Sequence, residues 1–175
     1  MPEHAGSSPQ AVVTDVFAAF KRHDLDAMMQ YSEDDVVDDF VAIGEFRGRA
    51  AVRGFFAELL AAFPDFDIDV VNMVGDGKHV VVQWHCTGTF NGAPFQGVHP
   101  TGRSVDLRGC DVFRVEDGRI RHNTIYYDGL GFARQIGLLP REGSTADKAM
   151  TAAFNASTDV RARLHRKSPE MAHAG

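Results

Sequence analysis

The hydrophobic positions of the chain follow helical spacing in the first third of the sequence. Apolar residues recur three or four positions apart from Pro9 to Phe20 and again from Val52 to Phe63, which predicts two amphipathic helices. Asp24 is placed to cap a short helix between them, LDAMMQY. Pro64 is predicted to end the second long helix. The segment DDVVDDFVAIG is rich in β-branched residues and predicts a strand.

From residue 66 onward the hydrophobic period changes to two. This alternation predicts four strands, at residues 66–75, 78–90, 103–115 and 119–128. The turn sequences GDGK and EDGR each contain an Asp-Gly pair, which is a strong hairpin signal. Helices followed by a run of antiparallel strands predict an α+β fold, with the helices packed on one face of a curved sheet.

The sequence divides into three parts. We predict a flexible N-terminus at residues 1–8, one domain at 9–140 that ends with a helix at 130–137, and a partly helical tail at 141–175. The tail has a thin apolar stripe that includes Met150 and Phe154. It predicts either a solvated helix or a lid or clasp that covers apolar surface.

Composition excludes several classes of function. The 175 residues carry a formal net charge of −6 with 44% hydrophobic content, which is typical of a folded globular protein without the basic face that nucleic acid requires. The two cysteines, Cys86 and Cys110, form neither a disulfide framework nor a metal-binding motif. Neither a signal-peptide pattern nor a run of about 20 apolar residues is present, so we expect a soluble cytoplasmic protein without membrane association.

One carboxylate interrupts an apolar face. In VDLRGCDVFRV, residues 105–115, every second residue should point inward, and this row contains Asp111 between Gly109 and Phe113. An unpaired buried charge is costly, so Asp111 is predicted to have a partner, a bound proton or a catalytic task. Burial raises a carboxyl pKa, and a neutral acid that faces a cavity can stabilise an oxyanion.

Three segments in this order resemble the nuclear transport factor 2-like superfamily, in its SnoaL-like polyketide cyclase and ketosteroid isomerase branches. They are AVVTDVFAAFKRHDLDAMMQYSEDDVVDDF, AAVRGFFAELLAAFPDFDIDV and HPTGRSVDLRGCDVFRVEDGRIRHNTIYYDGLGFARQIG, and the resemblance spans about three quarters of the chain. It implies a cone-shaped half-barrel, in which a curved antiparallel sheet wraps around a long helix and leaves a deep apolar cavity. It also implies a homodimer, a hydrophobic small-molecule substrate, and no metal or organic cofactor.

The resemblance suggests a carboxylate pair for acid/base chemistry. Asp111 matches the acid of the isomerase pattern DxFR, which stays protonated and donates a hydrogen bond to an enolate. Asp39 matches the general base when a one-residue gap is allowed; alternation does not choose between it and Asp38, because both rows of the strand are apolar. The chain departs from the family at Val16, where the isomerases have tyrosine, and at Ile125, where the cyclases have aspartate. Tyr127 is predicted either to supply the missing hydroxyl or to be an aromatic wall residue whose hydroxyl group reaches water. Tyr127 or Asn123 is predicted to assist the two carboxyl groups.

The remaining candidates are substrate contacts. His99 lies in the loop at what would be the mouth of the cavity. The predicted lining residues are Val16, Phe17, Phe56, Trp84, Phe113, Asn123 and Ile125.

These observations predict a cofactor-independent cyclase or isomerase that acts on a polyketide- or steroid-like ketone by enolate chemistry. Two alternatives stay open on the same fold: a non-catalytic small-molecule binding protein and a hydrolase that activates water.

Overall fold

The computed structural model describes the backbone of residues 8–167 and the side chains of residues 8–164. The described helices are α1 (Pro9–Lys21), α2 (Leu25–Met29), α3 (Arg49–Ala62), α4 (Gly129–Gln135) and α5 (Thr145–Lys167). The described strands are β1 (Ser32–Phe40), β2 (Gly44–Arg47), β3 (Asp67–Asp76), β4 (His79–Thr89), β5 (Ser104–Glu116) and β6 (Arg119–Tyr127). The predicted α+β class is confirmed, and the predicted flexible N-terminus lies outside the described residues except for Ser8.

Side-chain caps begin four of the described helices, and at α5 Ser144 Oγ accepts a hydrogen bond from the amide of Asp147. Ser8 accepts a hydrogen bond from the amide of Ala11 at the start of α1, where Pro9 occupies the first turn. Asp24 caps α2 as the sequence predicts. Asp128 caps α4 through the amide of Gly131 at 2.7 Å. The ends of these segments are therefore fixed locally by short polar residues.

The six strands form one curved, unclosed sheet in the order β2-β1-β6-β5-β4-β3. The β3–β6 meander is antiparallel, as predicted, but β1 pairs with β6 in parallel. Short strand β2 is absent from the sequence prediction, which continued β1 to residue 44. Instead the chain turns after Phe40, and Gly44 has a φ of 111°, a backbone conformation that favours glycine, so β2 folds back on β1.

Two helices cover the sheet and enclose the core. Helix α1 packs against β3, β4 and β5, while α3 packs against β1 and β2. Phenylalanines join these layers: Phe17 meets Phe113 edge-on at 6.0 Å between ring centroids, and Phe40 lies 4.4 Å from Phe55. The arrangement matches the cone-shaped fold that the resemblance implies. The inward row of β5, which contains Asp111, lies on the helix-facing side of the sheet.

Residues 8–138 and 139–167 belong to two separate compact units. The second contains α5, in which Met150 and Phe154 are exposed. Both interpretations of this tail stay predictions, as does the pairing of two copies. None of the helices within residues 8–167 has the length and apolar character that crossing a bilayer requires.

Trp84 packs directly on the backbone of Gly109. The two residues are cross-strand partners on β4 and β5, and both belong to the rows that face the core. A Cβ atom added to Gly109 would lie 2.1 Å from Cζ2 of the indole ring, so only glycine leaves room for it. The glycine thereby fixes the position of the tryptophan ring inside the sheet.

We predict that Gly109→Ala lowers the free energy of unfolding by about 1–3 kcal/mol, because the rigid indole has to leave its place. Chemical denaturation measures this loss. Trp84 is the only tryptophan in the sequence, so its emission reports the displacement directly.

Gly54→Ala is the matched control. Gly54 lies in α3, and an added Cβ there meets nothing within 4 Å. This substitution should leave the tryptophan emission unchanged and stabilise the protein by up to about 1 kcal/mol. Equal stability and emission for Gly109→Ala and the wild type would contradict the packing argument.

Candidate active site

A partly open cavity of about 130 Å³ lies between the helices and the sheet. Engineered apolar cavities of about 150 Å³ bind benzene, so this cavity has room for about one ring. The helices contribute only apolar side chains to its wall, among them Val16, Phe20 and Phe55. The residues predicted from sequence that line it are Val16, Phe17, Phe56, Trp84, Asp111, Phe113, Asn123, Ile125 and Tyr127.

Asp111 is buried at this wall with both carboxylate oxygens hydrogen-bonded. Trp84 Nε1 donates to Oδ1 at 2.7 Å, and Asn123 Nδ2 donates to Oδ2 at 3.1 Å. The residue is 7% exposed. Burial raises the pKa of Asp111 to about 6, while the bonds from Trp84 and Asn123 oppose that rise.

Asp38, on β1, is the second buried carboxyl group of the cavity. It is 6% exposed, and its Cα partner on β6 is Asn123, which places it beside the Asp111 site. Burial, followed by the negative charge of Asp111, raises the pKa of Asp38 to about 8. Among residues 8–164, no side-chain or backbone donor is hydrogen-bonded to the Asp38 carboxyl group.

The choice of Asp39 for the cavity is wrong. Asp38 and Asp39 are successive residues of one strand, so their side chains point to opposite faces. Asp39 pairs with Thr124 on the outward row of β6, whereas Asp38 pairs with Asn123 on the inward row. The alternative that alternation alone left open, Asp38, is the one that lines the cavity.

The two carboxyl groups share one apolar environment but not one set of partners. Both donors that reach Asp111 can only donate, so they stabilise its charged form. Asp38 is buried without such donors, so its charged form is not stabilised. The negative charge of Asp111 further disfavours the ionisation of Asp38. The surroundings of the pair therefore favour ionisation of Asp111 over ionisation of Asp38.

Three further polar side chains line the cavity. Tyr127 is half-buried, and burial raises the pKa of its hydroxyl group. Sequence reasoning missed Ser32 and Cys86; Ser32 is a strand-end residue without an apolar pattern, whereas Cys86 follows the inward alternation of Trp84. Burial raises the pKa of Cys86 to about 12, with a smaller contribution from Asp106, so the thiol stays neutral.

The prediction that His99 contacts the substrate is not supported by its placement. His99 is exposed in the loop between β4 and β5 and does not line the cavity. Nearby Phe95 enters the wall instead, because Phe95 and Val98 form a bridge around a turn at Gln96 and Gly97.

Solved structures with this fold cover most of the first unit. A candidate SnoaL-like polyketide cyclase from Jannaschia sp. CCS1 is 25% identical (TM-score 0.69; 75% of this chain and 93% of that one). IdmH, a candidate polyketide cyclase from Streptomyces antibioticus, is 26% identical (TM-score 0.64; 75% and 99%). AclR, a candidate hydroxylase from Streptomyces galilaeus, is 24% identical (TM-score 0.66; 75% and 97%), which shows the fold alone. No curated protein matches the sequence.

A family model adds the sequence-level assignment. The SnoaL-like polyketide cyclase model matches residues 10–136, which contain every strand of the sheet and both aspartates of the cavity. The chain belongs to the SnoaL-like polyketide cyclase family.

Proposed function

We propose that this protein is a cofactor-independent enzyme that forms an enolate from a hydrophobic, polyketide-like ketone and cyclises it. The observation that carries the proposal is the pair of buried carboxyl groups, Asp38 and Asp111, whose surroundings separate their pKa values in one apolar cavity. Such a separation supplies a base and an acid at the same pH. Membership of a polyketide cyclase family supports the ketone as the substrate class.

The roles we assign differ from those that the isomerase pattern implies. Asp111, ionised and fixed by Trp84 and Asn123, is the general base. It accepts a proton from the carbon next to the substrate carbonyl, and the electron pair of the broken C–H bond forms the enolate. Asp38, protonated, donates a hydrogen bond to the enolate oxygen.

The enolate then has a carbon nucleophile inside the largely apolar cavity. Attack on a second carbonyl of the same molecule forms a carbon–carbon bond, and the new alkoxide takes the proton that Asp111 removed. No external oxidant, reductant or leaving group is required. Reprotonation of the enolate at a different carbon would instead give isomerisation, which is the runner-up outcome.

We predict that the wild type exchanges the acidic protons of small cyclic ketones and β-diketones with deuterium oxide, measured by proton NMR. Asp111→Asn should reduce this exchange by about a hundredfold or more, because the base is lost. Asp38→Asn should reduce it less, since the amide still donates a hydrogen bond. Asp39→Asn is the control and should exchange at the wild-type rate, because Asp39 lies on the outward row.

Other results of this experiment point to other functions. Tight ligand binding without exchange would favour a binding protein. Incorporation of labelled oxygen from water into the product would favour a hydrolase.

We also predict a bell-shaped pH dependence of exchange. Below about pH 6 Asp111 becomes protonated and cannot act as base, and above about pH 8 Asp38 loses the proton it donates. Because the two carboxyl groups interact, the apparent pKa values of the two limbs belong to the pair and not to either residue alone. In Asp38→Asn the upper limb should disappear while the lower limb remains; an unchanged upper limb in that variant would exclude Asp38 as the acid.

A further inference from the structure

The cavity contains a buried hydrogen-bond acceptor without a donor. Asn123 is 4% exposed, and its Nδ2 is engaged by Asp111. Its Oδ1 is fully buried, and none of the donors in the described part of the chain reaches it. A buried acceptor that loses water and gains no partner costs about 1–3 kcal/mol, so a ligand donor that reaches this atom would gain affinity.

The orientation of this amide follows from its neighbours. Asp111 is an acceptor at both oxygens, because Trp84 and Asn123 each donate to one of them. Rotating the amide would put Asn123 Oδ1 against a carboxylate oxygen, where two acceptors repel. The hydrogen bond to Asp111 therefore keeps the amide oxygen on the side away from that carboxylate.

The missing donor is best supplied by a neutral group. Most of the cavity wall is apolar, with phenylalanines from α1 and α3 opposite the sheet, and burying an ammonium ion there would be costly. A hydroxyl group satisfies the amide oxygen without bringing a charge. Asn123 and Asp38 are cross-strand neighbours, and adjacent strands lie about 4.8 Å apart, so one ligand can reach both.

We propose that Asn123 is a specificity-determining residue that selects hydroxylated ketones, accepting a hydrogen bond at Oδ1 from a ligand hydroxyl group while Asp38 contacts the ligand carbonyl. The proposal rests on the proposed function for the identity of the carbonyl. It adds a requirement that acid/base chemistry alone does not impose, namely a hydroxyl group close to the reacting carbonyl.

Binding of matched ligands tests the proposal without turnover. Isothermal titration calorimetry would compare α-tetralone with its ring-hydroxylated isomers and their methyl ethers, which differ in the donor. In the wild type, the best-bound phenol should bind about tenfold more tightly than both α-tetralone and the matching methyl ether. Absence of this preference for every isomer would overturn the proposal.

Variants then locate the preference at Asn123. Asn123→Leu, of similar size, removes the acceptor and should reduce the preference to less than about twofold; Asn123→Ala provides a second test if leucine impairs folding. Thr124→Val is the matched control, because Thr124 follows Asn123 on β6 and belongs to the outward row. A preference that survives in Asn123→Leu, or disappears equally in Thr124→Val, would contradict the assignment.

The exchange assay separates failure of this proposal from failure of the proposed function. Exchange of ketone protons without a preference for the phenol would leave the enolate chemistry intact and exclude the role of Asn123. A preference for the phenol without any exchange would leave the binding role intact and exclude the chemistry.

Discussion

Two carboxyl groups buried in one apolar cavity resist carrying a charge at the same time, and this constraint organises the site. The chain resolves it unequally: two donors support the charge on Asp111, while none in the described residues supports one on Asp38. The inequality favours ionisation of Asp111 over ionisation of Asp38. In the proposed mechanism, this difference provides one base and one acid from chemically identical side chains.

The support for Asp111 depends on backbone packing as much as on polar contacts. Trp84 reaches the carboxylate because Gly109, its partner on the next strand, has no side chain in the way. Asn123 reaches it because β5 and β6 are adjacent and both residues occupy inward rows. The hydrogen bonds to Asp111 therefore depend on sheet register, because a one-residue slip of β5 would turn Asp111 to the outer face.

Alternation identifies Asp111 as a buried carboxyl group but does not identify its partner, because the pattern is informative in β5 and uninformative in β1. A carboxylate within a clear apolar row is visible in the alternation of β5, and a glycine in the same row is a sign of close packing. In β1 both rows are apolar, so the choice between Asp38 and Asp39 depends on the parallel pairing with β6, a contact between segments about 85 residues apart. Strand β2 was missed similarly, because the reversal at Gly44 sits within a continuous β-branched pattern. The hydrogen-bond partners of Asp111, and the order of the pKa values of Asp111 and Asp38, likewise depend on tertiary contacts. No local sequence pattern encodes these contacts.

The polar and apolar residues of the described cavity wall lie on opposite sides. Its polar side chains, Ser32, Asp38, Asp111, Asn123 and Tyr127 among them, all come from the sheet, whereas α1 and α3 contribute apolar groups. Val16 and Ile125 are the two positions at which the resemblance implies a polar catalytic residue. Val16 belongs to the apolar helix side of the wall. Ile125 is an apolar position within the otherwise more polar sheet side. A ligand that satisfies both walls has its oxygen atoms along one edge and a bare hydrocarbon surface along the other. Since the cavity has room for about one ring, only one ring of a larger ligand would lie inside it.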